Sequence, residues 1–205
     1  MTARLLLATS NPGKVVELRA LLSGHSDLAG VTLLTPLDLG RPLPEVAEIG
    51  TTFAENARIK ALALANASGL IALADDSGLC VDALGGDPGV RSARWAGPTD
   101  ADRAAALLER LRGVPASERM ARFVCAACAA APGGALAEAE GVCEGMITEA
   151  PRGRAGFGYD PVFLLPAFGR TMAELSPDEK NRISHRARAI AALTPRLREL
   201  WKKAP

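Results

Sequence analysis

The chain is 205 residues long, enough for one substantial core or two small lobes. Hydrophobic residues make up 48% of it and charged residues 23%, a globular composition that excludes a disordered tail. The formal net charge of +1 argues against nonspecific binding to nucleic acid or to an anionic membrane, since both need a basic surplus.

The first apolar run, Leu5-Leu6-Leu7-Ala8, stops at Thr9-Ser10-Asn11-Pro12-Gly13, which suits a buried strand followed by a tight turn. It is too short for a secretory core or a membrane span, so a cytoplasmic protein is expected. A helix is predicted from Pro12, with Val15, Leu18, Leu21 and Leu22 on one face. Thr52-x-x-Glu55 is a capping box that opens a second helix from Phe53 to about Ser68, closed by Gly69. Leu70 to Ala74 reads as another buried strand, ending at Asp75-Asp76-Ser77-Gly78.

Gly85 to Gly89 is a loop, and Thr99-x-x-Asp102 caps a third helix running to Arg112. Ala121 to Ala131 and Leu136 to Thr148, separated by Pro132-Gly133-Gly134, read as a hairpin, while their alanine content leaves a helical reading open. Ser176-Pro177-Asp178-Glu179 starts a helix or helical turn, and a last amphipathic helix covers Arg186 to Trp201 with Pro195 as a candidate break. Strands and helices interleave with no repeat period and no low-complexity linker, so an α/β fold in a single domain over residues 1–205 is expected. The four cysteines are expected to be reduced, with Cys125-x-x-Cys128 read as packed small hydrophobes rather than a zinc or redox site.

Three segments could carry chemistry. Thr9-Ser10-Asn11-Pro12-Gly13-Lys14 is a strand-to-helix junction, where backbone N–H groups, a helix N-terminus and the Lys14 charge would suit a polyphosphate. It is not a Walker A loop, and an ordinary capped junction is the competing reading. Asp75 and Asp76 follow an apolar strand, with side chains expected on opposite faces, one toward a metal or reacting water and the other toward an internal partner. Hard oxygen ligands beside a phosphate junction imply Mg²⁺; the competing reading is a solvated Asx-turn. Glu48 could reach the same cation, and Asn56 and Lys60 share one helix face, although a solvated face is the plainer reading of each alone.

The third segment, Gly156-Phe157-Gly158-Tyr159-Asp160-Pro161, alternates glycines with aromatics in a chain that is only 4% aromatic. Such a loop can bring backbone and a ring face against a flat base, with Phe157 as ordinary core the alternative. Lys180, Ser184, His185 and Arg186 supply donors for the acceptor edge of a purine, although a lone histidine more often packs or caps.

Six blocks in order resemble the inosine/xanthosine triphosphate pyrophosphatase family. They are Thr9-Ser-Asn-Pro-Gly-Lys14, Thr52-Phe-Ala-Glu-Asn-Ala-Arg-Ile-Lys60, Ala74-Asp-Asp-Ser-Gly-Leu79, Pro88-Gly-Val-Arg-Ser-Ala-Arg94, Phe157-Gly-Tyr-Asp-Pro-Val-Phe163 and Ile183-Ser-His-Arg186. The resemblance implies an elongated mixed sheet flanked by helices, two lobes with the active-site cleft between them, and a homodimer. It also implies Mg²⁺-dependent hydrolysis of ITP, dITP and XTP to the monophosphate and pyrophosphate, with no nucleic-acid or membrane partner. By motif, Thr9, Ser10, Asn11, Pro12, Gly13 and Lys14 would hold the phosphates, Asp76 would serve as general base and metal ligand, and Glu48 would be a second metal contact; because a metal-bound carboxylate is a weaker base, Asp75 or Glu48 as the group that orients the water is the competing reading. Ser77 would touch substrate; Lys60 and Asp75 would support catalysis. Phe157, Gly158, Tyr159, Asp160, Lys180, His185 and Arg186 would form the nucleoside and base pocket. Ser10 stands where many members of that family have glycine. Two rival functions compete with this one: an aspartyl-phosphate phosphatase using Asp75, and a nucleotide sensor without turnover.

Overall fold

A computed structural model describes residues 3–203. Its strands are β1 (Arg4–Leu7), β2 (Thr32–Leu34), β3 (Ile71–Val81), β4 (Met120–Ala130), β5 (Leu136–Ile147), β6 (Phe163–Leu165) and β7 (Arg170–Thr171). Its α-helices are α1 (Pro12–Ser23), α2 (Phe53–Ser68), α3 (Asp100–Arg110), α4 (Pro177–Ile183) and α5 (His185–Lys203). The seven strands form one sheet in the order β2-β1-β3-β4-β5-β6-β7. β1 is parallel to β2 and β3, whereas β6 is antiparallel to β5 and β7, so the sheet is mixed and the α/β expectation is met. Among the described residues no helix is long and apolar enough to cross a membrane.

The chain divides into two compact units. The first comprises the chain up to Asp76, Cys125–Gly141 and the chain from Arg186 onward; the second comprises Ser77–Val124 and Val142–His185. In the first unit the strand period of two sorts the core onto two faces. Leu5, Leu7, Ile71, Leu73 and Cys125 pack with Leu18 and Leu22 of α1 and with Leu193 and Leu197 of α5. Leu6, Ala8, Ala72, Ala74 and Cys128 pack with Ala57, Ala61 and Ala65 of α2. Cys125 and Cys128 therefore fall in separate cores and cannot chelate one metal; both are buried free thiols that burial pushes up to about 12. The second unit has its own core around Leu79, Leu107, Phe123, Val162, Phe163 and Met172.

The helix starts follow the local chemistry. Asn11 caps α1 by accepting from the Lys14 backbone N, with Pro12 at the first position. Thr52, Thr99 and Ser176 each close a reciprocal capping box, and Gly69 ends α2 in the left-handed conformation at φ 75°.

Two expectations change. β3 does not end at Asp75 but runs on to Val81, because both carboxylates find cationic or amide partners and the turn signal of Asp-Asp-Ser-Gly is overridden. α5 passes through Pro195 without a break. Leu193, Leu197 and Leu200 hold its inner face, while Ala191, whose carbonyl would bond a residue-195 N–H, and Pro195 itself are exposed to solvent. β2, β6 and β7, of two to three residues each, escape the periodicity reading altogether because so short a run has no period.

Gly145 of β5 marks a close approach: a Cβ there would lie 2.5 Å from the Leu164 carbonyl oxygen and 2.5 Å from the Phe163 ring. Gly145→Ala should lower stability by about 1–3 kcal/mol, the usual cost of overpacking, read as a lower urea midpoint with an unchanged slope.

Candidate active site

The first unit gathers charge around two successive residues of β3. Asp75 is on the α1 and α5 face. Its Oδ2 lies 3.0 Å from Lys14 Nζ and accepts from Arg186 Nε at 3.2 Å and Nη2 at 3.0 Å. Arg186, 1% exposed, also donates to Glu17 of α1. Burial alone would push the Asp75 carboxyl up, but Lys14, Arg186 and Lys60 together hold it far below the usual carboxylate range. With the residue 2% exposed and two cations on one oxygen, Asp75 is a fixed countercharge and does not present a nucleophile, which disfavours the aspartyl-phosphate reading.

Asp76 points to the α2 face. Its Oδ2 accepts from Asn56 Nδ2 at 3.0 Å, and its Oδ1 lies 3.6 Å from Lys60 Nζ. Burial pushes its pKa up, against the pull of Lys60 and Asn56, and Glu48 adds to the rise. Lys60 also donates to Glu48 Oε1 at 2.9 Å and to the Asp75 carbonyl oxygen at 2.8 Å. The solvated-face expectation for Asn56 and Lys60 is therefore overturned: their four-residue spacing aims both at Asp76. The same Asp75 carbonyl lies 3.5 Å from Lys14 Nζ, so the two lysines meet at one peptide group. Lys14 and Asp76, drawn together by the two sequence motifs, share one neighbourhood.

Adjacent carboxylates in environments of opposite effect can take opposite roles, one permanently ionised and one poised to exchange a proton. Lys14, Lys60 and Arg186 face Glu17, Glu48, Asp75 and Asp76, three cations against four carboxylates. Lys60 contacts both Glu48 and Asp76. Among the described residues no three histidine, cysteine or carboxylate side chains form a ready metal cage. Mg²⁺ needs only one or two carboxylates with water and phosphate oxygens, so Asp76 and Glu48 fit it.

The phosphate-junction candidates lie together at the start of α1. Thr9 Oγ1 accepts from the Asn11 N, Asn11 caps the helix, Pro12 and Gly13 form its first turn, and Ser10 is exposed. Ser77, next in β3, is half-buried in the second unit.

The second unit builds the glycine-aromatic loop. Asp160 Oδ2 accepts from the Phe157 N at 3.0 Å and from Lys180 Nζ at 2.6 Å. Lys180 Nζ also sits 4.9 Å from the Phe157 ring centroid, a cation–π distance. Gly156 needs its lack of a side chain: at φ 78° an added Cβ would fall 2.0 Å from Asp160 Oδ2. Gly158 N donates to Asp100 Oδ2 at 2.7 Å, tying the loop to the first turn of α3. Phe157 is half-buried, with a face that can meet a base, but Tyr159 is not a second stacking ring. It is packed in the core, and its hydroxyl donates to the Ser92 carbonyl. His185 stacks on Phe123 at 4.8 Å. Arg186 departs from the base-reading set, because its guanidinium is spent on Asp75 and Glu17 inside the first unit. Glu17, Gly50 and Asp100 went unnoticed in the sequence; Arg186 and Glu17 are 169 residues apart, and no local pattern joins them.

Removing Arg186 would strip the buried Asp75 carboxylate of its two guanidinium hydrogen bonds, and breaking a buried pair on one side costs about 3–5 kcal/mol. Arg186→Met should therefore unfold at markedly lower denaturant than the parent, measured by far-UV circular dichroism.

Comparison with known proteins identifies the family of the chain. The Ham1 family model matches residues 5–196. A dITP/XTP pyrophosphatase of Geobacillus kaustophilus is 52% identical over 96% of this chain and 95% of its own length. One of Thermus thermophilus is 51% identical over 98% of this chain and 93% of its own length. The solved Ham1 protein of Coxiella burnetii superposes with a TM-score of 0.84 at 42% identity, over 96% of this chain and 99% of that one. The nucleoside-triphosphatase, or dITP/XTP pyrophosphatase, of Mycobacterium abscessus gives 0.75 at 45% identity, over 95% and 99%. With its fold and nearly its whole length matched, the chain belongs to the Ham1 family.

Proposed function

We propose that the chain is a nucleoside triphosphate pyrophosphatase that hydrolyses deaminated purine nucleoside triphosphates, dITP, XTP and ITP, to the monophosphate and pyrophosphate, with Mg²⁺. The observation that carries this reading is the split between two neighbouring carboxylates on β3, Asp75 held ionised by Lys14 and Arg186, and Asp76 raised by burial beside Lys60 and Glu48. The names of relatives about half identical over nearly the full length supply the substrate class.

Hydrolysis at the α-phosphorus asks for a positioned water, a proton acceptor and neutralisation of the pyrophosphate leaving group. Asp76, its carboxylate oriented by Asn56 and Lys60, accepts the proton of the attacking water. Thr9, Ser10, Asn11, Pro12 and Gly13 turn the start of α1 toward the phosphate tail, where the helix N-terminus favours anions. Lys14 has three ammonium hydrogens, so it can hold Asp75 and still meet a phosphate oxygen. Asp75 and Arg186 are positioning residues that fix Lys14. Mg²⁺, held by Asp76 and Glu48, would neutralise phosphate charge and polarise the phosphorus. Lys60 steadies both carboxylates.

In the second unit, Phe157 offers the ring for stacking, Gly158 lets backbone approach, and Asp160 and Tyr159 hold the loop. Lys180 and His185 supply donors suited to a 6-oxo purine; an adenine would oppose them with its amino group and leave them unpaired. Ser77 completes the substrate contacts. The whole chain acts as one catalytic domain in a homodimer that serves the cytoplasmic nucleotide pool.

A panel of nucleoside triphosphates with Mg²⁺, scored for pyrophosphate against orthophosphate, tests the reading. dITP, XTP and ITP should release pyrophosphate well ahead of dATP and dGTP. Binding without release would favour the sensor reading. Asp76→Asn should bind substrate and turn over at least about 100-fold more slowly, the scale of a lost general base. Lys14→Ala should chiefly raise KM, and an unchanged KM would remove Lys14 from the phosphate site.

A further inference from the structure

Asn56 is 1% exposed, and a buried primary amide must find partners for both its ends. Its Oδ1 accepts from the Gly50 N at 2.8 Å. A backbone N–H can only donate, so this bond fixes which end of the amide is oxygen and turns Nδ2 to Asp76 Oδ2 at 3.0 Å. Gly50 can stand there because it lacks a side chain: a Cβ would fall 2.7 Å from Asn56 Oδ1 and 2.7 Å from Glu55 Cβ. Asp76 is thus held at Oδ2, while Oδ1, 3.6 Å from Lys60 Nζ, faces the side of Lys60.

We propose that Asn56, locked by the Gly50 backbone, is a positioning residue that occupies one oxygen of Asp76 and so dictates that Oδ1 is the oxygen working on water. This rests on Asp76 being the water-activating carboxylate. Asn56 touches neither substrate nor the reacting atoms; it acts through the orientation of Asp76. A carboxylate freed at Oδ2 can rotate about its terminal bond, and small misplacements of a catalytic group cost rate more than binding.

Kinetics with dITP and Mg²⁺ on the full chain test this. Asn56→Ala should lower kcat about 10-fold or more with KM within about twofold of the parent. Gly50→Ala, whose methyl displaces the same amide, should lower kcat in the same way, and the double variant should be no slower than Asn56→Ala, since both act through one contact. Independently of turnover, the side-chain amide protons of Asn56 should resonate downfield and exchange slowly in the metal-free protein, and Asp76→Asn should shift them. A parent-like kcat in Asn56→Ala with only a lowered melting temperature makes the amide purely structural and overturns the proposal, as do losses in the two single variants that multiply in the double. If the amide coupling is present but Asp76→Asn turns over like the parent, the catalytic reading of Asp76 fails, and the proposal with it. If Asp76→Asn is slow while Asn56→Ala is not, the reading stands and the proposal alone fails.

Discussion

Successive side chains of a strand point to opposite faces, and that alternation separates Asp75 from Asp76 although they are adjacent in the chain. Each carboxylate is then left to a different helix layer. On one face α1 and α5 bring Lys14 and Arg186 to Asp75; on the other α2 brings Asn56 and Lys60 to Asp76. A carboxylate as deeply buried as Asp75 is tolerable only with opposite charge in contact, so α1, α5 and β3 are held to one geometry by electrostatics as well as by leucine packing.

The same arrangement explains how two like charges coexist. Asp75 has Lys14 and Arg186 on one oxygen, and with Lys60 they hold its carboxyl far below the usual carboxylate range against the push of burial. Burial pushes the proton affinity of Asp76 up, Lys60, Asn56 and Lys14 pull it down, and the neighbouring Glu48 adds to the rise. On the α2 face Glu48 and Asp76 both contact Lys60, and a divalent cation held there would add the positive charge that a phosphate chain needs. Lys60 spans the two carboxylates and the Asp75 carbonyl, which ties the segment before α2 to the strand.

The second unit uses carboxylates differently. Asp160 and Asp100 accept from backbone N–H groups of the Gly156–Tyr159 stretch and hold the Phe157 ring beside Lys180. Glycine at 156 is required because the Asp160 carboxylate occupies the space of a side chain. Here the acids shape a loop; in the first unit they set proton affinity.

Much of this was legible in residue order. The capping boxes at Thr52, Thr99 and Ser176, the proline at position 12 and the glycine at 69 mark helix ends through local hydrogen bonds and backbone sterics, which act over three or four residues. The six ordered motifs carried the family, and the four-residue spacing of Asn56 and Lys60 placed them on one face. What tertiary structure alone decided was the meaning of charges whose partners are remote in sequence. Only folding shows that Asp-Asp-Ser-Gly continues a strand, that Arg186 neutralises Asp75 and Glu17, that Tyr159 is core, and that Gly50 orients Asn56. A buried charge is accepted or rejected by whatever stands within a few ångströms, and for Asp75 those neighbours come from chain segments 61 and 111 residues away.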